Sequence, residues 1–311
     1  MKSVMINSTH IEGYVYEHSL ELKVTGENSK NPGTEYIAGN LNIATNEDCT
    51  NIVPVHFTYV TATTSKGNAN ATYTALKNII DEKLGSVMKV GKERAGKVRI
   101  DSAIGLNEFY SDRNGEPELV SVMRNEGGFV HATDVLALEE KARNTFQADM
   151  VITKVIRTEA NEERGIPEKV LVSGAIFDFR KTPMPVTFSV TNARGMDYFE
   201  GLDASSKSPV FTKVWGRQIQ ETTVMNRTEE SAWGDANVRE TQSTRRDWVI
   251  TGSAPEAYEW DSDETITAAE LKEAMTVRET NIATLKARYD EYKKSREAGP
   301  AAAPIADGFN F

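Results

Sequence analysis

The chain has 311 residues, a single cysteine and a formal net charge of −10. This length allows two ordinary domains or one large one, and a hydrophobic content of 39% is enough to build buried cores. The lone Cys49 excludes an internal disulfide and suits a reducing compartment. The sequence has neither an apolar run of about 20 residues nor a signal-peptide core, so it predicts a soluble, cytoplasmic protein.

The negative charge is unevenly distributed. Residues 51–100 hold eight lysines and arginines against three acids, whereas residues 101–150 hold four against ten. The basic side chains concentrate around two glycines, at Lys89, Lys92, Arg94, Lys97 and Arg99. This basic stretch is typical of an anion-binding loop, and equally of a solvated loop that balances acidic neighbours.

Alternating apolar and polar residues predict five strands in the first half of the chain, at 11–24, 36–45, 52–61, 98–110 and 119–123. Apolar residues at helical spacing predict one helix at 71–83, between the third and the fourth strand. Five strands with a helix after the third are the layout of an OB-fold. We therefore predict a first OB-like barrel within residues 1–134.

The second half of the chain repeats this order of elements. Its candidate strands and helix lie at 150–158, 169–179, 186–190, 196–202 (the helix), around Trp215, and at 247–251. Pro54-Val55-His56-Phe57-Thr58 and Pro185-Val186-Thr187-Phe188-Ser189 share a Pro-Val-x-Phe-hydroxyl pattern. The identity between the halves is low, so chance similarity between β segments competes with duplication, which the shared order favours.

The fold class that follows is mainly β, with two tandem OB-fold-like five-stranded barrels and a long C-terminal helix. The second barrel spans 147–263, and apolar residues at helical spacing predict a connector helix at 135–146. Residues 226–246 are polar and without periodicity. We expect them to form a long loop in the position with which OB-folds clasp oligonucleotides.

The C-terminal helix is predicted over 264–298. Thr267-Ala268-Ala269-Glu270 has the pattern of a capping box, and Gly299-Pro300 ends the helix. Its larger side chains follow a heptad spacing at Leu271, Met275, Arg278, Ile282, Leu285, Tyr289 and Tyr292. Arg278 interrupts this stripe. The helix therefore either joins subunits as a coiled coil, which makes a homo-oligomer, or packs on its own barrel.

Residues 299–311 are rich in proline and alanine and end in two aromatic residues. This composition predicts a flexible, extended tether. Its tip is either a frayed terminus or a contact for a partner protein, made by Asp307, Phe309 and Phe311.

Sequence motifs of catalysis are missing. The four histidines lack zinc-ligand spacing and have no cysteine pair to join, and no phosphate-binding glycine loop ends in Gly-Lys-Ser/Thr. We therefore expect a protein that is not an enzyme and needs neither a metal nor another cofactor.

Aromatic and basic residues that recur together indicate binding of single-stranded nucleic acid, which needs cations for phosphates and flat rings for bases. Lys213, Trp215 and Arg217 share one face of a strand by the two-residue period. Trp215 also aligns with Ile104 of the first half, which favours a buried tryptophan instead. Phe177, Phe179 and Trp248 are likewise candidates either for stacking or for the core. The remaining candidate contacts are Phe109, Tyr110, Arg113, Arg180, Lys181, Arg239, Arg245 and Arg246.

Taken together, several features resemble single-stranded-DNA-binding proteins encoded by bacteriophages and prophages. They are the repeated order of elements over about residues 10–297, the strand Asp247-Trp248-Val249-Ile250-Thr251-Gly252, the helix start Thr267-Ala268-Ala269-Glu270-Leu271 and the aromatic tip. The tip is similar to that of bacterial single-stranded-DNA-binding proteins. It departs from their pattern in having Asp307 as its only acid and Asn310 where a proline is common.

The resemblance implies sequence-tolerant binding of single-stranded DNA during phage replication or recombination, with the tip recruiting replication or recombination proteins. Two other functions stay open. A virion or assembly protein would use the β domains and the helix as protein interfaces, which suits the acidic charge. A recombination accessory factor would bind a partner enzyme rather than DNA.

Overall fold

The computed structural model describes residues 5–113, 116–161, 166–229, 233, 237–260 and 266–297. The described part is mainly β, with eleven strands joined in one sheet and a long C-terminal helix. Among the described residues, the helices are all too short or too polar to cross a membrane.

The first half folds into a closed ring of five strands. Its elements are β1 (Asn7–His18), β2 (Glu21–Val24), β3 (Glu35–Ala44), β4 (Ile52–Thr61), α1 (Ala71–Ile80), α2 (Val87–Val90), β5 (Lys97–Arg113) and β6 (Glu116–Ala132). The strands pair in the order β1-β5-β6-β4-β3 and return to β1, while β2 lies outside the ring on β3. A short parallel contact between β4 and β6, at Val55 and Asn125, completes the ring.

The second half forms a ring of the same kind. Its elements are β7 (Asn144–Thr158), β8 (Lys169–Phe177), β9 (Pro183–Val190), α3 (Ala193–Gly201), β10 (Val210–Glu229) and β11 (Asn237–Ser253). The pairing order is β7-β8-β9-β11-β10, returning to β7. Here too a parallel contact closes the ring, between Ser189 of β9 and Val249 of β11.

Each ring encloses its own hydrophobic core, built from every second residue of its strands. Val55 and Phe57 are fully buried in the first ring, and Phe146 and Phe188 stack at 5.0 Å in the second. The helix between the third and fourth ring strands adds Leu76 in α1 and Phe199 in α3 to these cores. The two rings are thus built on one plan.

A strand pair and a buried amide network join the rings. Strands β1 and β7 pair antiparallel, with His10 opposite Thr145. Asn125 of the first ring and Gln218 of the second exchange two amide hydrogen bonds, both of 2.8 Å. Because both amides are buried and satisfied, the relative position of β6 and β10 is specified as well as stabilised.

The C-terminal helix α4 (Ala268–Glu297) lies against the chain's own rings. Its capping box is confirmed, because Thr267 N donates to Glu270 Oε2 at 2.9 Å and Glu270 N donates to Thr267 Oγ1 at 3.2 Å. Arg278 forms an ion pair with Glu108 of β5 and donates to Pro183 O of β9 at 3.3 Å. The residue that interrupts the heptad stripe is therefore the one that holds α4 on both rings.

Two predicted elements are wrong. The connector helix at 135–146 is replaced by an extended segment with one 3-10 turn at Glu140–Ala142, and β7 already begins at Asn144. Val135 and Leu138 are 76% and 96% exposed, so the apolar residues there do not share a buried face. Leu136 between them is 8% exposed and packs with Tyr14, Ala44 and Ala95, so the segment contacts a core without being helical.

The predicted loop at 226–246 is also wrong. Strands β10 and β11 continue through most of it as a two-stranded ribbon, with Arg227 opposite Arg239. Beyond Gly216, β10 pairs with β11 alone, since its pairing with β7 ends there. A ribbon that has left the ring has no core to face, so polar residues at every position are compatible with strand structure.

Candidate nucleic-acid interface

The outer face of β10 carries the predicted cation-aromatic-cation group. Lys213, Trp215 and Arg217 project to the outside, while Val214 between them is fully buried in the core of the second ring. The indole of Trp215 is 38% exposed. It rests on Gly252 of β11, where any side chain would collide with the ring. The strand thus presents a supported aromatic surface with a cation two residues away on either side.

This face continues over the neighbouring strands. Gln147 of β7 lies opposite Trp215 and also opposite Ser8 of β1. A second cross-strand row runs through Phe129 of β6, Asp101 of β5, His10 of β1 and Thr145 of β7. We call the outer surface of these five strands the joint face, because it spans both rings. Its outward side chains are Ser8, His10, Arg99, Asp101, Phe129, His131, Thr145, Gln147, Lys213, Trp215 and Arg217.

The carboxylates at this face are engaged by other groups. Asp101 Oδ1 lies 2.8 Å from His10 Nδ1. Glu12 is buried and accepts a 2.7 Å hydrogen bond from Ala137 N. Asp149, also buried, accepts from Ile6 N at 2.7 Å and from the Tyr258 hydroxyl at 3.0 Å. Hydrogen bonding leaves these carboxylates charged, but the outward side chains of the joint face carry three cations, Arg99, Lys213 and Arg217, against the one carboxylate of Asp101.

Sequence analysis identified Arg99 and the β10 group but missed Ser8, His10, Phe129, His131, Thr145 and Gln147. Phe129 and His131 lie beyond 123, where the fifth strand of the first half was predicted to end. The structure extends β6 to Ala132 across two glycines that have positive φ angles, Gly127 (φ 64°) and Gly128 (φ 116°). The glycine pair hides the alternation on which strand prediction depends.

The basic stretch 89–99 is divided by the fold. Lys89 pairs with Glu82, and Arg94 Nε donates to Val90 O at 3.1 Å. Lys97 Nζ donates to Asp134 O at 3.2 Å. These three cations contact nearby residues of the first ring, whereas the exposed Arg99 lies on the joint face.

Lys92 belongs to a compact ionic cluster beneath the 133–143 segment. Its ammonium lies 2.7 Å from Glu47 Oε2, and Arg143 Nη1 lies 2.7 Å from Glu47 Oε1. Tyr14 donates a third hydrogen bond to the same carboxylate, at 3.0 Å. Lys92 and then Arg143 lower the pKa of the Glu47 carboxyl from 4.5 to about 2. The cluster fastens the segment that leads from the first ring to the second.

The aromatic residues near the β8–β9 turn separate into core and surface. Phe177 is fully buried and meets Phe211 edge to face at 6.4 Å, so its interpretation as a stacking residue is wrong. Its outward side is covered by Met5 and Ile266. Phe179 is 87% exposed and carries the Arg180 guanidinium 5.0 Å from its ring centre, with Lys181 next in the turn.

The remaining candidates lie apart from the joint face or outside the described side chains. Trp248 packs edge-on against Phe146 with 5.4 Å between the ring centres, so of its two predicted roles the structure supports the one in the core. Tyr110, next to the half-buried Phe109, has its ring 5.9 Å from Tyr289 of α4. Arg246 Nε donates to Gln220 Oε1 at 2.8 Å. Outside the described part lie the side chains of Arg113, Arg239 and Arg245 and the whole tip with Asp307, Phe309 and Phe311.

Metal-binding geometry does not occur in the described part of the chain, where no three His, Cys, Asp or Glu side chains cluster. The joint face presents flat aromatic rings, cations and neutral hydrogen-bonding groups, together with the carboxylate of Asp101. Such a face suits stacking and ionic binding of a polyanion.

Comparison with known proteins gave a family and two distant structural likenesses. The chain is similar to the wild-type single-stranded DNA binding protein from Thermus aquaticus, with 9% identity, a TM-score of 0.45, and coverage of 82% of this chain and 95% of that chain. For a deletion mutant of the Thermus aquaticus protein, the identity is 10%, the TM-score is 0.45, and the coverage is 84% of this chain and 100% of that chain. No curated protein matches. The profile of the YorF family matches residues 6–288, and the chain therefore belongs to the YorF family.

Proposed function

We propose that this protein binds single-stranded DNA, without sequence preference, through the joint face. The observation that carries the proposal is the outward group on β10, where Trp215 lies on Gly252 between Lys213 and Arg217. A stacked base contributes about 1–3 kcal/mol to binding, and every base has a face to stack. The two cations, each about 7 Å along the strand from the indole, are placed for the phosphates on either side.

The charge of the whole chain fits a localised site. A protein with a net charge of −10 repels a polyanion over most of its surface, whereas a basic face in that setting gathers it. The joint face has Arg99, Lys213 and Arg217 outward, and its carboxylates are hydrogen bonded. Binding should therefore be electrostatic in part and sensitive to salt.

The biological setting is part of the same proposal. We infer that the two rings are OB-type barrels that arose by duplication, and that the protein acts in the cytoplasm during phage DNA replication or recombination. The tip with Asp307, Phe309 and Phe311 would recruit a replication or recombination protein. Removing 306–311 should then abolish capture of that partner while binding of DNA persists; unfolding of the shortened chain would contradict a tethered tip.

Fluorescence anisotropy with labelled oligo-dT at low and moderate salt tests the DNA proposal. Trp215→Ala should weaken binding about 5- to 150-fold, the equivalent of one stacked base. Arg217→Ala should lower the magnitude of the salt slope by about 0.7, the value for one phosphate contact on a single strand. Oligo-rU in parallel distinguishes DNA from RNA.

Tyr292→Ala is the matched control for Trp215→Ala. Tyr292 is 52% exposed on α4 and also pairs with a cation, since the Arg296 guanidinium lies 5.9 Å from its ring centre. Its removal should leave the affinity unchanged. If the unaltered protein fails to bind oligo-dT at low salt, the proposal is wrong, and a virion or assembly role becomes the better explanation.

A further inference from the structure

Phe129 is a large hydrophobic side chain of the joint face that is more exposed than Trp215. It is 70% exposed, although its neighbour Val130 is buried in the first core at 1%. It sits within a strand that is paired on β5, not at a loop tip, with Asp101 directly opposite. An aromatic ring held outward on a rigid sheet is a typical binding feature, since it offers contact area without ordering a loop.

The backbone before Phe129 is shaped to hold it there. Gly127 and Gly128 form a bulge opposite Ser102 of β5, between the pairs Asp101–Phe129 and Ala103–Glu126, and both glycines have positive φ angles. A side chain on Gly128 would lie 2.5 Å from Asp101 O, so this position excludes larger residues. Bulges of this kind re-aim side chains and occur often at functional sites. This one places Phe129 on the outer surface of β6.

From these observations we propose that Phe129 is a second base-stacking position, and that one single strand of DNA runs across the joint face from β10 to β6. The inference rests on the proposed function and adds the path of the strand. Phe129 lies on the fourth strand from β10, through β7, β1 and β5. At about 4.8 Å between strands, the two aromatic positions are about 19 Å apart. A stacked strand covers that distance with about six nucleotides.

The chemistry near Phe129 repeats that near Trp215. The exposed Arg99 pairs across strands with His131, one row away from Phe129. Between the two aromatic positions lie Thr145 and Gln147, which are neutral and able to hydrogen bond to bases. Asp101, the carboxylate in the row of Phe129, is hydrogen bonded to His10. Asp101 keeps its charge, but over the whole path the three outward cations Arg99, Lys213 and Arg217 outnumber it, which favours a polyanion over an acidic or neutral protein segment.

Titration of Phe129 variants with labelled dT15 tests the path. Phe129→Ala should weaken binding about 5- to 150-fold. Phe129→Trp, which keeps a stacking ring, should bind as well as the unaltered protein. Phe129→Leu keeps apolar area without a ring and should bind nearly as weakly as the alanine variant. Because the side chain is exposed, the melting temperature of all three variants should stay within a few degrees of the parent.

Photocrosslinking locates the strand directly. A dT15 with one 5-iodouracil near its 5′ end, and another with one near its 3′ end, should crosslink preferentially at opposite ends of the face, one at Trp215 and the other at Phe129. If Trp215→Ala weakens binding and Phe129→Ala does not, the path is wrong while the proposed function stands. If neither substitution changes the affinity, or dT15 is not bound, both are wrong. Equal binding by the Leu and Trp variants would also overturn the stacking role.

Discussion

Strands β5 and β10 hold the same place in the two rings, yet they use it differently. Each follows the helix of its ring and pairs with the last strand. Ile104 of β5 is 2% exposed and lies in the core of the second ring, whereas Trp215, its counterpart on β10, is 38% exposed. The strand after the helix thus contributes a core residue in the first half of the chain, and it presents an exposed aromatic side chain in the second half.

The Asn7 side chain hydrogen bonds β5 to the second ring. Its amide donates to Ile104 O at 2.9 Å and to Phe177 O at 3.1 Å, and its side-chain oxygen accepts from Ile104 N at 2.9 Å. One side chain thus links the fourth strand of the first ring to β8 of the second. The two strands thus differ in their surroundings: β5 is tied to the second ring through Asn7, whereas β10 carries an exposed aromatic side chain on its outer face.

The largest expected effect is on the free energy of unfolding, which should depend strongly on Ile104 and only weakly on Trp215. Ile104→Ala should lower the free energy of unfolding by about 2–5 kcal/mol, because it leaves a cavity in a packed core. Trp215→Ala should change it by less than about 1 kcal/mol, because the indole is at the surface. Urea unfolding followed by circular dichroism measures both. Similar losses for the two variants would contradict the division between packing and binding.

Arg278 should be the next most sensitive position. Arg278→Ala leaves the half-buried Glu108 without its cation, and we expect a loss of about 1.5–3 kcal/mol. Arg288→Ala, which removes an exposed arginine of the same helix, should change the stability by less than about 0.5 kcal/mol. Affinity for oligo-dT should be the same in both variants, since the contacts that the structure gives Arg278 are to Glu108 and Pro183 and not to the joint face. A large loss of binding in Arg278→Ala alone would place α4 within the interface.

The amide pair between the rings should show strong coupling in a double-mutant cycle. Gln218→Leu removes the donor to the buried Asn125 Oδ1, while Asn125 Nδ2 keeps its bond to Pro54 O, and it should cost about 1–3 kcal/mol, as should Asn125→Leu. The double variant should lose less stability than the sum of the two single variants, because two apolar side chains pack together and leave neither amide without its partner. Urea unfolding of the four proteins gives the coupling energy. Additive losses would show that the two amides stabilise their own rings independently.

The sequence was a sufficient guide wherever one period holds through an element. Strand β4 (Ile52–Thr61) was predicted with its observed bounds, and α1 starts at Ala71 as expected. The two-residue period placed Lys213, Trp215 and Arg217 on one face, but it left open whether Trp215 is exposed or buried. The capping box at Thr267 is local chemistry and was equally visible. These features depend on neighbours within a few residues, which is the range that sequence patterns cover.

Features that depend on distant segments were not visible. Phe177 is buried in a cluster that brings together Met5, near the start of the described chain, and Ile266, just before α4. The apolar residues of 135–146 have helical spacing, but the backbone is not helical, and Leu136 packs with Tyr14, Ala44 and Ala95, which lie far away along the chain. Phe129 acquires its place from the pairing of β6 with β5 around two glycines. In each case the decisive contact lies far away along the chain.

The smallest expected effect concerns the ionic cluster beside β1, which helps to hold the two rings in place. Lys92 and Arg143 lower the pKa of Glu47 to about 2 from 4.5, so the folded state favours the ionised carboxylate. The cluster's stabilisation is complete above pH 4.5 and is lost as the pH falls towards 2. Glu47→Gln should therefore unfold at a lower temperature than the parent at about pH 6. At about pH 2.5 the two melting temperatures should nearly coincide.

Melting curves at half-unit steps of pH measure this convergence. Because the Glu47 side chain is 45% exposed, solvent screens the ion pairs, and we expect a difference of only a few degrees at about pH 6. Glu139→Gln serves as the control, because its carboxylate is 72% exposed and lies in the 133–143 segment next to the cluster. Its melting temperature should follow that of the parent at every pH. A gap between Glu47→Gln and the parent that stays constant down to the acid end would mean that Glu47 acts through its packing alone. The contact between the two rings would then depend on the Asn125–Gln218 amide pair, and not on the charge of Glu47.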